Sequence, residues 1–377
     1  MTEMTVTAAR PKNAAGPMRT CAYQLTFLTP AFLGDAQQSG RWRTPPFKAQ
    51  LRQWWRMVWA ADHGFAGSVD VMRREEGLLF GNAWLENDFR KSLVRLRLER
   101  WDLGNETPQS WGRQELDRHK EGVSHPEVGS IGPKLYLGYG PLVVEKVQRA
   151  AQRPEYATVL KNNAAIQNGE TATLSLTVPQ AHAERIERAL WLMHQFGTVG
   201  GRSRNGWGSY ALEPINGTPQ LEGDLPLRPW RDCLKLDWPH ALGQDEKGPL
   251  IWQTVPHDDW KSLMKTLAII KIGLRTQFRF TSGKNAPNPE ARHWLSYPVT
   301  NHSVQPWGNN ARLPNQLRFK VRKTAEGKLV GVIVHVSHLP PPAFQPDRAT
   351  IERVWRQVHA FLDAPAQKLT RIQGPQS

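Results

Sequence analysis

The order of hydrophobic periods in the first 215 residues limits the possible folds more than any other feature of the chain. Period-two alternation predicts four β-strands, and apolar residues at helical spacing predict two helices. In chain order these are strand 23–28, helix 47–61, strand 93–103, strand 171–178, helix 181–196 and strand 207–212. This order, strand–helix–strand–strand–helix–strand, is that of the split βαβ or ferredoxin-like unit.

The second half of the chain predicts a degraded copy of the same unit. The predicted elements are strand 232–238, helix 259–272, a short strand 275–280, a hairpin of 316–322 with 329–336, and a closing helix 350–362. The fold class is therefore α+β, with two ferredoxin-like (RRM-like, βαββαβ) domains in tandem and long inserted loops.

The domain boundaries follow from composition. We expect a flexible tail at 1–20, a first domain at 21–215, a Pro/Gly-rich linker at 216–230 and a second domain at 231–377. The first domain carries an insertion at 104–169 that includes a predicted hairpin at 134–144, and the second carries a long loop at 282–314. Loops of this length are uncommon unless they have a function.

The charge balance indicates a polyanionic partner. There are 49 Lys and Arg residues against 34 Asp and Glu, a net charge of +15 and a pI near 10.0. Nucleic acid is the first candidate, and a generic basic surface is the alternative. The two cysteines, Cys21 and Cys233, have no disulfide or zinc spacing. We therefore expect a cytoplasmic protein without metal or cofactor, and without a membrane span.

A first basic motif runs from Arg41 to Arg56 and holds five basic residues and no acid. On the predicted helix, Lys48, Arg52 and Arg56 are spaced four apart and share a face roughly 120° from the apolar stripe. That stripe consists of Phe47, Leu51, Trp54 and Val58. The row of cations suits a phosphate backbone. The alternative is an ordinary amphipathic helix with a basic solvent face.

A second motif, GTVGGRSRNGWG, covers residues 197–208 between a predicted helix and a strand. Its glycines, Gly197, Gly200, Gly201, Gly206 and Gly208, allow close backbone approach, and consecutive N–H groups beside Arg202 and Arg204 can form an anion nest. Trp207 either packs in the core or stacks on a base. A helix-to-strand turn with a glycine cap explains one or two of these glycines, but not all five. The motif lacks the ending of a P-loop.

Together these segments resemble the RAMP superfamily of CRISPR proteins, and within it the first RAMP subunit of the Cmr (type III-B) effector complex. The likeness spans residues 21–213. It rests on LTPAFLGD at 28–35, on RTPPFKAQLRQWWR at 43–56, on LFG at 79–81 and on the glycine-rich motif at 197–208. Asp35 departs from the pattern, since a second glycine is expected there.

The resemblance implies an RNA-binding, non-catalytic subunit of a type III CRISPR effector ribonucleoprotein in antiviral defence. Such a subunit holds crRNA, target RNA or both at one end of the complex, beside other type III effector subunits. The resemblance assigns RNA contact to Lys48, Arg52, Arg56, Arg202 and Arg204. Arg41 and Arg43 are added on charge alone.

Two other functions stay open at this point. Some RAMP relatives are metal-independent endoribonucleases that process crRNA, and such chemistry needs a general base or acid such as histidine. His119, His125, His293 and His302 lie in predicted loops, where surface polarity is the simpler explanation. A free-standing nucleic-acid binder is the third class. The 16 tryptophans favour protein interfaces over it, although they also suit base stacking.

Overall fold

The computed structural model describes residues 16–85, 88–116, 121–147 and 155–373. Up to residue 215 the elements are β1 (Met18–Phe27), α1 (Pro45–Asp62), α2 (Val69–Phe80), β2 (Arg95–Leu98), α3 (Pro108–Trp111), β3 (Val123–His125), β4 (Gly129–Ile131), α4 (Pro133–Gly138), β5 (Leu142–Val147), β6 (Glu155–Leu160), β7 (Thr171–Pro179), α5 (Ala183–Phe196) and β8 (Tyr210–Ile215). Four strands form an antiparallel sheet in the order β2-β7-β1-β8. The apolar faces of α1 and α5 are buried in one core with β1 and β7.

The four strands and two helices predicted for the first half are confirmed, with shifted ends. The last strand begins at Tyr210, so Trp207 lies in the loop before it. The predicted hairpin at 134–144 is wrong: α4 occupies its first part, and β5 pairs with β6 instead. Helix α2 has no counterpart among the predicted elements. Strand β1 begins at Met18, and most of the predicted tail lies outside the described residues.

From residue 227 the strands and α-helices are β9 (Leu227–Pro229), α6 (Trp230–Cys233), β10 (Leu242–Asp245), β11 (Gly248–Pro249), β12 (Ile251–Thr254), α7 (Trp260–Thr276), β13 (Asn285–Ala286), β14 (Ser303–Val304), β15 (Leu317–Lys323), β16 (Leu329–His335), α8 (Arg348–Asp363) and β17 (Leu369–Arg371). A second antiparallel sheet has the order β15-β16-β12-β17. Counted along the chain, both four-stranded sheets therefore place their strands in the order second, third, first, fourth.

Two strand predictions for the second half are wrong. Residues 232–238 form the end of α6 and turns, so the first strand of the second sheet is β12. Residues 275–280 do not form a strand, because α7 continues to Thr276. The predicted linker 216–230 contains β9, which pairs in parallel with β10. The hairpin of β15 with β16 and the closing helix are confirmed, and the closing strand β17 was missed.

The insertion packs on the second half of the chain. Trp111 and Leu137 share a hydrophobic core with Trp207 and Trp260. The ring centroids of Trp207 and Trp260 lie 5.8 Å apart. Inside the insertion, the buried carboxylate of Glu115 accepts hydrogen bonds from the backbone of Lys134 and Leu135 and from the hydroxyl of Thr158. No helix among the described residues is long and apolar enough to cross a bilayer.

Strand β15 lies between the two halves and is buried on both faces. One face places Leu317, Phe319 and Val321 in the core of the second half, and the other directs Arg318 and Lys320 to the first half. The Arg318 guanidinium lies 5.2 Å from the Trp54 ring centroid. The Lys320 Nζ donates to two backbone carbonyls, at 2.5 Å each. Burial lowers the pKa of Arg318 to about 9 and that of Lys320 well below its ordinary value.

One prediction concerns the pH dependence of stability. His194 on α5 accepts a hydrogen bond at Nδ1 from the Leu212 N–H, and burial, followed by the charge of Lys320, lowers its pKa to about 4. Since this folded-state pKa is below that of the unfolded chain, the stability contribution is present above pH 6.5 and is lost as the pH falls toward 4. We expect His194→Asn, which keeps an acceptor, to reduce the difference in unfolding free energy between pH 7.5 and pH 5 by about 2 kcal/mol. Urea titrations at both pH values measure this difference, and an unchanged difference would contradict the assignment.

Candidate nucleic-acid interface

Helix α1 has the two faces that its spacing predicted. Pro45 occupies the first turn, and Phe47, Leu51 and Trp54 are fully buried. Arg52 and Arg56 point to the other side, where each side chain keeps 39% of its surface exposed. This side is only partly exposed to solvent, because α2 packs beside α1. Helix α2 also places an acidic side chain among the basic ones.

That acid is Glu76, which is only 3% exposed. Its carboxylate accepts from the Arg52 Nε at 2.8 Å, from the Arg56 Nε at 3.0 Å and from the Arg56 Nη2 at 2.9 Å. One carboxylate therefore fixes two guanidinium groups and leaves a net charge of +1. Among the described residues, both Nη groups of Arg52 and the Nη1 of Arg56 have no hydrogen-bond acceptor. Arginine forks with free donors suit phosphate oxygens.

A cavity of about 800 Å³ opens on this cluster. Its lining comes from α1, from α2 with Trp84, from the glycine-rich loop and from the segment 237–239. The lining residues are Ala49, Arg52, Gln53, Arg56, Val69, Met72, Arg73, Glu76, Gly77, Trp84, Arg204, Asp237, Trp238 and Pro239. Four arginines and two carboxylates give the lining a net charge of +2. The cavity is thus a cationic space with two aromatic side chains.

Arg204 brings the second basic motif to the same cavity. Its backbone carbonyl accepts from the Phe319 N–H at 3.1 Å, so β15 fixes this part of the loop. Its guanidinium has no carboxylate or other acceptor among the described residues, and burial lowers its pKa. Two segments that are about 150 residues apart in sequence therefore meet at one cavity.

The other predicted RNA contacts lie elsewhere and are each occupied by a protein oxygen. Lys48 donates to the carbonyl of Phe80 at 3.1 Å. Arg41 pairs with Asp35 at 3.2 Å, and Arg43 donates to the carbonyl of Gly34 at 2.6 Å. Arg202 is exposed and donates to the carbonyl of Tyr139 in the insertion at 2.5 Å. None of these four side chains lines the cavity.

The glycines of the second motif contact protein rather than open space. A Cβ at Gly208 would lie 1.9 Å from the Val199 carbonyl oxygen, and one at Gly200 would lie 2.7 Å from the Phe32 carbonyl oxygen. Both glycines also have positive φ. Side chains at these two positions are excluded by the packing of the loop. The other three, Gly197, Gly201 and Gly206, likewise have protein atoms within 3.3 Å of a built Cβ.

Sequence reasoning missed Glu76, Arg73 and Trp84, which all line the cavity. A signal for α2 was present, since Met72, Leu79 and Phe80 recur at helical spacing and are buried. The burial of Glu76 had no signal in the sequence, because it depends on which helix packs beside α1. The Arg73 guanidinium lies 5.1 Å from the Trp84 ring centroid.

Three of the four candidate histidines lie in the described part of the chain, and these are engaged in structural contacts. His293 is fully buried, and its Nδ1 accepts from the Glu290 N–H at 2.9 Å. His302 stacks on Phe280 with ring centroids 3.9 Å apart. His125 is buried. His119 lies outside the described residues. Within the described part of the chain, no group of three or more His, Cys, Asp or Glu side chains could hold a metal ion.

Comparisons with known proteins give one family and several solved structures. The family model of the RAMP superfamily matches residues 24–211. No curated protein matches the chain. The crystal structure of apo Cmr1 from Pyrococcus furiosus has a TM-score of 0.44 at 15% identity, covering 84% of this chain and 87% of that one.

Two cryo-EM structures of type III-B Cmr-beta also match. A chain of Cmr-beta bound to cognate target RNA and AMPPnP in the presence of ssDNA has a TM-score of 0.43 at 11% identity, covering 91% of this chain and 99% of that one. A chain of Cmr-beta bound to cognate target RNA has a TM-score of 0.42 at 12% identity, covering 90% and 99%. TM-scores below 0.5 at such identities transfer no residue role to this chain.

A prediction tests whether Glu76 organises the arginines. Glu76→Gln removes the buried charge that both guanidinium groups contact, while the side-chain length stays the same. Since both arginines are more than a third exposed, solvent screening limits the loss, and we expect the free energy of unfolding to fall by about 1 kcal/mol. Glu213→Gln is the control, because Glu213 is exposed on β8 and has no ion-pair partner among the described residues. Equal urea midpoints for Glu76→Gln and the wild type would show that the cluster contributes nothing to stability.

Proposed function

Residues 24–211 belong to the RAMP superfamily, and we propose that the chain is an RNA-binding, non-catalytic subunit of a type III CRISPR effector ribonucleoprotein. Its partners are crRNA, target RNA or both, together with other type III effector subunits, in the cytoplasm. The observation that carries the proposal is the meeting of Arg52, Arg56 and Arg204 at one cavity. The superfamily match supplies the context of CRISPR defence.

We also propose that both halves are ferredoxin-like domains, the second a divergent copy of the first. The support is the common strand order of the two sheets, β2-β7-β1-β8 and β15-β16-β12-β17, with antiparallel neighbours throughout. Each sheet also receives its helices in the same places, after its first and third strands. This is the connectivity of the split βαβ unit.

RNA binding at the cavity is electrostatic in the first instance. When Arg52, Arg56 and Arg204 neutralise phosphates, cations condensed on the RNA are released, which favours binding at low salt. We propose four peripheral RNA contacts, at Lys48, Arg41, Arg43 and Arg202. Each already donates to a carbonyl or carboxylate of the protein, so exchanging that partner for a phosphate reduces the gain in binding free energy. The glycine-rich loop acts by placing Arg204 on the cavity wall.

Exposed aromatic side chains support the proposal of partner subunits over a free-standing binder. Phe89 is 73% exposed, Tyr139 60% and Trp101 59%. Aromatic residues are enriched in protein interfaces. Co-purification of the tagged chain from its native cells distinguishes the two classes, because a free-standing binder brings down RNA without a stoichiometric set of proteins.

The first prediction of this proposal concerns RNA affinity. Arg52→Gln combined with Arg204→Gln removes two cavity cations and leaves Arg56 to pair with both oxygens of Glu76. We expect weaker binding of single-stranded RNA, and a slope of log K against log salt that is lower by about 1.4, since each phosphate contact contributes about 0.7. Fluorescence anisotropy over a salt series measures both quantities.

The control removes the same charge outside the cavity. Arg95 and Arg97 are exposed on β2 and do not line the cavity. Arg95→Gln with Arg97→Gln should change the affinity and the slope much less than the cavity pair. Equal effects of the two double variants would show that general positive charge, and not the cavity, binds the RNA.

The second prediction is that the purified chain leaves labelled RNA intact with and without chelator. Metal-independent cleavage needs a group that exchanges protons with a ribose hydroxyl. His293 and His125 are buried, and His302 stacks on a ring. Denaturing gels of the incubated RNA measure cleavage. Specific fragments that disappear on His302→Ala would instead support the crRNA-processing endoribonuclease.

A further inference from the structure

Resting on the proposed function, we propose that the cavity takes an unpaired nucleotide of the RNA strand, whose base stacks on Trp84 while its phosphate meets Arg52 and Arg56. Cations alone would give a backbone-binding groove. This cavity combines cations with two large aromatic rings, Trp84 and Trp238, in one lined space. Aromatic rings contribute to nucleic-acid binding only where a base leaves its partner strand.

The dimensions of the cavity support a nucleotide rather than a double helix. Its volume of about 800 Å³ is large enough for a nucleotide, since ligand sites in proteins have volumes of about 300–1,000 Å³. An A-form helix keeps its bases stacked inside and offers phosphates and 2′-hydroxyls at its surface. A duplex could therefore touch the arginines at the cavity mouth, but its bases could not reach the indole rings.

Trp84 is placed to serve as a stacking platform. Its side chain is 52% exposed, although it is among the largest apolar side chains of the protein. The ring is supported by α2, since a Cβ at Gly77 would lie 3.3 Å from Trp84 Cζ2. The guanidinium of Arg73 lies over the ring at 5.1 Å. The ring is thus held in place while half of its surface stays available to a ligand.

The acids of the cavity indicate little discrimination among bases. Both carboxylate oxygens of Glu76 already accept from Arg52 and Arg56. Asp237 is the other carboxylate of the lining, and it is exposed. A buried set of free acceptors that could recognise one base edge is therefore missing among the described lining residues. Stacking, which every base can provide, is the expected mode of contact.

The test compares single-stranded RNA with the same strand in a duplex, by fluorescence anisotropy with the full chain. We expect the wild type to prefer the single strand. Trp84→Ala should weaken single-strand binding about fivefold or more and leave duplex binding unchanged. Trp84→Phe keeps an aromatic face and should restore most of the affinity. Trp101→Ala is the matched control, because Trp101 has a similar exposure, 59% against 52% for Trp84, and does not line the cavity.

The outcomes separate this inference from the proposed function. Equal binding of single strand and duplex, with Trp84→Ala no weaker than Trp101→Ala, overturns the inference and leaves RNA binding in place. Absence of binding to either RNA at low salt overturns the proposed function itself. If Trp84→Ala binds RNA normally but loses co-purifying subunits, the ring belongs to a protein interface and the inference fails. Circular dichroism of each variant confirms that the fold is retained.

Discussion

Strand β15 docks against the glycine-rich loop and joins the two halves of the chain. Phe319 donates its N–H to the carbonyl of Arg204, Val321 donates to the hydroxyl of Ser209, and Lys320 donates to the carbonyls of Gly197 and Tyr210. These bonds join the second sheet to the first and fix the loop between α5 and β8. Because Arg204 belongs to that loop, they also place its guanidinium at the cavity beside α1.

For RNA binding, the positions of the charged side chains matter more than the net charge of the chain. The chain carries a net charge of +15, but most of the predicted RNA contacts already donate to oxygens of the protein. Glu76 removes one unit of charge from the cavity and in return orients two arginines with free donors. A site with fewer, fixed cations favours a defined ligand geometry over general attraction, since less side-chain freedom is lost on binding.

Hydrophobic periodicity predicted the elements whose burial follows their local spacing. The stripe of Phe47, Leu51, Trp54 and Val58 indicated α1 correctly, because helical spacing and burial coincide there. Strand β15 alternates apolar residues with Arg318 and Lys320, a pattern that is typical of a strand with one solvent-exposed face. In the structure both of its faces are buried. The burial of both faces of β15 and the pairing of Glu76 with α1 both follow from tertiary packing. Neither could be predicted from the local sequence pattern. The first strand of the second sheet was misplaced because β12 has only four residues.

In the proposed function, two distant basic segments, α1 and the glycine-rich loop, form one RNA site at the cavity. Ultraviolet crosslinking of the chain to single-stranded RNA, followed by mass spectrometry of the crosslinked peptides, tests it most directly. We expect crosslinks in peptides that carry Trp84, Trp238 or the neighbourhood of Arg204, all from one binding event. Crosslinks confined to peptides remote from the cavity, such as those of α8, would contradict it.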